Sequence, residues 1–256
     1  MRRFGFTAVL MCLLAGMLFP LTAAADESMR GDLNNDGGVD IADVVSLIHY
    51  VLSGEWPDEA EPDWVDLGLP SGTIWATRNV GASSPEEYGD YFAWGETEPK
   101  SEYSWISYKW AMSDTTLTKY CSYSDDGYNG FVDNKTELDP SDDAACAHYP
   151  GGRMPSQEQI NELIENCTWQ WTQRNGVNGQ LVTGPNGNTM FLPAAGDRWD
   201  GSTGNVGLRG YYWSRMLFSH NSHLAGFLRI TSGGRYYVHD YRIYGLTVRA
   251  VRVSQN

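Results

Sequence analysis

The chain of 256 residues carries 18 Lys+Arg against 32 Asp+Glu, a formal net charge of −14, with 41% hydrophobic and 13% aromatic residues. This acidity excludes the usual DNA and RNA binders, which rest on clustered cations, and the aromatic content excludes a disordered chain. With 28 Gly and only 20% charged residues, the composition points to many tight turns and a β-rich core, in one large or two small domains.

Arg2 and Arg3 precede an apolar stretch from Phe6 to Leu21, and Ala23, Ala24 and Ala25 offer a small-residue cleavage site. This pattern predicts a signal peptide over residues 1–25, and so a protein secreted or held at the cell surface. No later apolar run approaches the ~20 residues that a membrane span needs. Past residue 25 remain Cys121, Cys146 and Cys167, which allow at most one bridge and match no zinc or CxxC spacing.

Residues 26–56 open with a run of oxygen donors. Counting Asp32 as position one, side-chain oxygens fall at Asp32, Asn34, Asp36, Asp40 and Asp43, with Gly37 where the loop must turn and Gly38 offering its carbonyl. This is the ligand order of a calcium loop, and oxygen donors suit a hard cation such as Ca²⁺. Ile41, Val44, Val45, Ile48, Val51 and Leu52 then recur at helical spacing, Leu47 widens that face, and Gly54 can end the helix. The run Gly31-Asp-Leu-Asn-Asn-Asp-Gly-Gly-Val-Asp-Ile-Ala-Asp-Val44, with its apolar helix, resembles one half of a dockerin module. That resemblance implies a protein partner for this segment. Dockerins carry two halves and this chain shows one, with Ile41-Ala42 where many carry Ser/Thr. An acidic linker, residues 57–63, follows.

From Trp64 the sequence changes character. Trp64–Ala76 reads as strand, Pro-Ser-Gly turn, strand, and Tyr91–Glu96 as another short aromatic segment. Lys100–Tyr149 reads as a long irregular region. Ser156 and Gln159 have capping-box spacing before a helix whose buried stripe is Ile160, Leu163 and Ile164. Glu158 and Glu162 look like a solvated face of that helix. Gly179–Thr183 and Thr189–Leu192 flank a Pro-Asn-Gly-Asn turn suited to a hairpin. Strands are then expected at Gly210–Ser214, Leu224–Thr231, Arg235–Tyr244 and Leu246–Val253. Together these predict an α+β domain with a mostly antiparallel sheet and few helices, beside the small calcium loop–helix segment.

Several motifs in order carry a second resemblance: Val65-Asp-Leu-Gly-Leu-Pro-Ser-Gly-Thr-Ile-Trp-Ala76, Tyr88-Gly-Asp-Tyr-Phe-Ala-Trp-Gly-Glu96, Gly151-Gly-Arg-Met-Pro-Ser156, Phe191-Leu-Pro-Ala-Ala-Gly196, Gly210-Tyr-Tyr-Trp-Ser214 and Tyr244-Gly-Leu-Thr-Val-Arg-Ala-Val-Arg252. Residues 64–256 thus resemble the Fibrobacter succinogenes major paralogous domain, with Ala250 where that family often has Pro. The resemblance implies export from a gut or rumen bacterium and a C-type-lectin-like fold, shared with formylglycine-generating enzymes and with bacterial variable receptors.

Residues 201–256 hold seven Arg and one acid, Asp240, while residues 26–200 hold 9 Lys+Arg and 31 Asp+Glu. A local cationic, aromatic surface on an acidic protein suits ligand contact through rings and guanidinium groups. The candidate contact residues are Arg215, Phe218, His220, Asn221, His223, Arg235, Tyr237, His239, Tyr241 and Arg242. In the resembling receptors this C-terminal part carries the ligand contacts. His220 and His223 lack a third metal ligand and read as an exposed turn. No phosphate loop, GxSxG elbow or late redox cysteine pair appears, so no enzyme is expected. The expectation is a secreted or surface adhesion protein that binds a glycan or protein through these loops. The alternative is a structural component of a surface assembly, joined through the calcium segment and linked to polysaccharide breakdown.

Overall fold

The computed structural model describes residues 64–112, 115–149 and 151–253, together with Val44, Leu47 and Val51. The chain divides into two compact units, Met1–Ala60 and Glu61–Asn256. In the first, Val44, Leu47 and Val51 are all helical, and Val44 and Val51 are exposed. The calcium-loop residues Asp32, Asn34, Asp36, Gly38, Asp40 and Asp43 lie outside the described residues, as do residues 1–25 and the linker 57–63.

In the second unit, β1 (Trp64–Asp66), β2 (Thr73–Ala76), α1 (Ala144–His148), α2 (Gln157–Asn166), β3 (Thr168–Arg174), β4 (Val177–Thr183), β5 (Thr189–Pro193), β6 (Asp197–Trp199), β7 (Ser202–Gly204), β8 (Arg209–Leu217), β9 (Leu224–Thr231), β10 (Gly234–Tyr241) and β11 (Val251–Val253) follow in order. All strand pairs between these elements are antiparallel. The sheets run β1-β2-β11, β10-β9-β8, β3-β4-β5 and β6-β7. The last strand returns beside the second, Val251 opposite Trp75, which brings the two ends of the unit together.

The middles of β8 and β9 are buried on both faces, while β10 and the Arg209 end of β8 stay partly open, and that explains the sequence. Tyr211, Trp213, Phe227 and Val238 project into one apolar cluster with Phe92, Trp94, Leu246 and Val248. Tyr212, Leu228, Ile230 and Tyr237 project into the other, with Ile160, Leu163, Val182 and Leu192. A strand buried on both faces reads as a continuous apolar run, as Tyr211-Tyr212-Trp213 does. Helix α2 begins as expected: Ser156 Oγ accepts from Gln159 N at 3.2 Å and Gln159 Oε1 accepts from Ser156 N at 2.9 Å.

Other expectations need correction. Of Leu246–Val253 only the last three residues form a strand, because residues 246–250 spend their backbone on scattered partners such as Phe92, Tyr211 and Val80. The segment Tyr91–Glu96 is held through one bridge, Phe92 to Leu246, by the backbone bond from Trp94 N to Arg242 O at 2.8 Å, and by side chains. Strand β3 and the β6-β7 hairpin were not expected. Glu162 does more than face solvent: it accepts Ser71 N at 2.7 Å and Ser71 Oγ at 2.6 Å, tying α2 to the β1–β2 turn. All three described cysteines are free.

Candidate binding surface

Residues 100–112 and 115–120 have almost no regular structure, yet they are fixed by the polar tips of aromatic side chains. Tyr103 donates to Tyr91 O, Tyr108 to Trp94 O at 2.6 Å and Trp110 Nε1 to Gly95 O at 2.6 Å. The 91–95 backbone that receives them is itself held to β8, since Trp94 Nε1 donates to Ser214 O and Trp213 Nε1 to Phe92 O, both at 2.8 Å. Each ring buries apolar area while its N–H or O–H donates to a backbone carbonyl of this irregular segment or of β8. The loop is thereby carried to the end of β10.

Arg242, expected at the surface, lies instead in the interior with no exposed area. Its Nε donates to Tyr108 Oη at 2.6 Å, Nη1 to Tyr120 O and Ser222 O at 3.0 Å, and Nη2 to Lys119 O at 3.1 Å. Its guanidinium also sits against the rings of Trp94, Tyr108 and Tyr120, at 5.0, 5.2 and 5.7 Å from their centroids. Four of its five N–H donors are spent on the protein, so Arg242 joins the long loop to the end of β10 rather than facing a ligand. Arg215 is a second internal brace: Nε meets Glu137 Oε1 at 2.6 Å, and Nη1 meets Met154 O at 2.9 Å and Gln159 Oε1 at 3.0 Å. Tyr237 is a third. Its hydroxyl lies 2.9 Å from Ser214 Oγ, and burial pushes its pKa up to about 12. It packs over Gly226, where an added Cβ would stand 1.8 Å from the phenol oxygen.

The remaining candidates gather in two groups. Phe218 stacks on His239 at 4.2 Å between centroids and meets His220 at 5.3 Å, while His239 also meets Tyr237 at 5.3 Å. Burial lowers the pKa of His239. Asn221 shapes the turn, its Oδ1 accepting from His223 N at 2.9 Å. Arg235 lies apart from both groups, over the Trp169 ring at 5.6 Å.

The second group is a row of rings to which the sequence reading contributed only two members. His223 meets Trp105 at 5.2 Å, Trp105 meets Tyr241 at 6.0 Å, Tyr241 meets Tyr244 at 6.1 Å and Tyr244 meets Trp199 at 6.2 Å, all edge to face. Such pairs are favourable beyond the area they bury. Trp199 keeps 54% of its surface exposed and Tyr241 46%, and Ile106, next to Trp105, is more exposed still. His223 is set by Thr115 O, 3.1 Å from Nε2, so Nε2 is the donor, while Nδ1 lies 3.6 Å from Asp126 Oδ1. The backbone bond from Arg242 N to His223 O, at 3.0 Å, keeps the row together. Trp105, Trp199 and Tyr244 were missed. Their signal was present in the unusual aromatic density of a polar loop and in a Trp set beside an Asp-Gly turn.

Among the described residues no group of three or more His, Cys, Asp or Glu is placed to hold a metal ion, and no helix is long and apolar enough to cross a membrane. No family model, no curated protein and no solved structure matches this chain.

Proposed function

We propose that this is an exported ligand-binding protein whose lectin-like second unit holds a glycan on the ring row His223–Trp105–Tyr241–Tyr244–Trp199. The observation that carries this reading is the continuity of the row together with the exposure of Trp199 and Tyr241. Large apolar rings with polar tips cost hydrophobic stability when left in water, and they are the residue types that anchor ligands. The C–H face of a sugar ring stacks on such a surface, and the Tyr241 and Tyr244 hydroxyls supply hydrogen bonds at its edge. A flat protein epitope is the other ligand class that these groups fit.

The test is binding of the full-length protein to a panel of neutral glycans and glycoproteins, compared with a Trp199→Ala, Tyr241→Ala variant. Both side chains are half exposed, so the fold is expected to survive, with unchanged near-ultraviolet circular dichroism. Affinity for any hit should fall about tenfold or more, because a stacked ring contributes on the order of 1–3 kcal/mol. An unchanged affinity removes the row as the site.

A second reading is favoured by the exposure of Val44 and Val51 on their helix. In it, the oxygen donors at Asp32, Asn34, Asp36, Gly38, Asp40 and Asp43 hold Ca²⁺ and fix that helix for a protein partner in a surface assembly. Their all-oxygen chemistry fits this ion.

A further inference from the structure

We propose a second binding site, for an oxyanion carried on a sugar, on one face of the central sheet beside the Gly233-Gly234 turn. The strand register defines it. Arg209 on β8 stands opposite Thr231 on β9, which stands opposite Gly234 on β10; one step along, Tyr211 stands opposite Arg229, which stands opposite Tyr236. Directly paired residues of antiparallel strands share a face, and residues two apart on a strand also share one. Two arginines, two tyrosines and a threonine therefore form one patch. It lies at the opposite end of β10 from Tyr241, about 17 Å away at 3.4 Å per residue, and on the other face of the sheet.

The side chains are arranged around the two guanidinium groups. The Arg229 guanidinium carbon lies 5.4 Å from the Tyr236 ring centroid, and Arg209 Nη1 lies 3.5 Å from Tyr211 Oη. Tyr236 leans back over the turn, so close that a Cβ on Gly234 would stand 2.6 Å from its hydroxyl, and 48% of its surface stays exposed. Thr231 is occupied in holding the turn, accepting from Gly233 N at 3.1 Å and donating to Gly234 O at 3.2 Å.

The charges are what this arrangement leaves unbalanced. Arg153, Arg174 and Arg215 each meet a glutamate, Glu137, Glu86 and Glu137. Neither Arg209 nor Arg229 forms an ion pair with any described residue, and Arg229 Nε is cut off from solvent with no hydrogen-bond partner. Asp197, whose field reaches Arg209, is engaged by Asn205 Nδ2 at 2.7 Å. In a chain with 32 acids, two like charges on one sheet face without a carboxylate repel each other, and an anion between them removes that repulsion. A guanidinium fork matches a carboxylate or a sulfate with two parallel hydrogen bonds. The exposed Tyr236 ring beside it provides the apolar face that a sugar needs and a free ion does not. The net charge of −14 disfavours long polyanions such as nucleic acid, which leaves a single charged sugar as the fitting ligand.

The experiment is calorimetric titration of the full-length protein with a galacturonic acid trisaccharide, a sulfated galactose disaccharide, its neutral counterpart and inorganic sulfate. The expected result is binding of at least one anionic sugar, weakened about tenfold in an Arg209→Gln, Arg229→Gln variant and partly restored in Arg209→Lys, Arg229→Lys. The trisaccharide and the disaccharide separate a carboxylate from a sulfate as the recognised group. Should the double variant lose its fold, the exposed Arg209→Gln change alone must still weaken binding. No binding of either anionic sugar, or binding indifferent to the arginines, overturns the proposal. Equal affinity for the neutral disaccharide or for inorganic sulfate overturns it as well. Loss of anionic-sugar binding in the Trp199→Ala, Tyr241→Ala variant assigns that ligand to the ring row and removes the second site. Failure of neutral glycans to bind counts only against the ring row.

Discussion

Arg242 takes a permanent charge to a position with no exposed area, and it does so without a carboxylate partner in contact. Three backbone carbonyls and one phenol share the charge, and three aromatic faces surround it, which together replace much of the water lost. Burial has the same consequence at Arg249, whose Nε donates to Asn79 Oδ1 and whose Nη groups donate to Ala76 O and Phe191 O; its pKa falls to about 10 and it stays charged at neutral pH. Replacing Arg242 with Met strands the carbonyls of Lys119, Tyr120 and Ser222 in the interior. The expected cost is on the order of 4 kcal/mol, read as a lowered urea midpoint with an unchanged slope. A cost under about 1 kcal/mol would show that the long loop does not depend on this side chain.

At the scale of elements, α2 acts as a clamp among three segments. Its first turn is closed by Ser156 and Gln159, and Gln159 also reaches Thr73 Oγ1 at 3.1 Å and accepts from Arg215. Glu162, one turn later, holds Ser71. The cap therefore serves both the helix and the hairpin beneath it. Ser156→Ala should cost about 1 kcal/mol in thermal or urea unfolding, and combining it with Glu162→Gln should cost more than the sum of the two alone, since both changes loosen the same helix against β2. Strict additivity would mean that cap and clamp act independently. The loop 100–112 shows the opposite strategy, order without regular structure, obtained from Tyr and Trp tips bonded to carbonyls.

For the whole molecule, stability should depend on pH through His239. Desolvation between Phe218 and Tyr237 lowers its pKa below the ordinary 6.5. The unfolded chain then takes up a proton near pH 6.5 that the folded chain still refuses. The stability due to this difference is complete above 6.5 and is lost as the pH falls towards the lower folded value. The melting temperature of the natural protein should therefore drop between about pH 7.5 and 5.5, and His239→Phe should remove part of that drop. Equal pH slopes in the two proteins would mean that His239 titrates normally when folded. The same molecule keeps Cys121, Cys146 and Cys167 as thiols, with burial pushing the pKa of Cys146 and Cys167 up to about 11, so the second unit is held by its core.

Local physics is written in the sequence wherever it acts over a few residues. The Ser156–Gln159 box, the β1–β2 hairpin around its Pro-Ser-Gly turn, the Pro-Asn-Gly-Asn hairpin and the positions of β8, β9 and β10 could all be read from spacing and turn chemistry. The mostly antiparallel, helix-poor character of the unit followed from them. Roles set by contacts far apart in the chain could not be read this way. Arg242 and Arg229 look alike in sequence, each beside a tyrosine or a leucine in an aromatic segment; one ends inside with four of its donors bonded to the protein and the other on an unbalanced face. Trp105 and Trp199 come from distant segments and share a surface only because Tyr103, Tyr108 and Trp110 pin one loop and the β6-β7 hairpin presents the other. Burial and partner choice depend on which distant groups compete for the same space, and only the tertiary packing decides that competition.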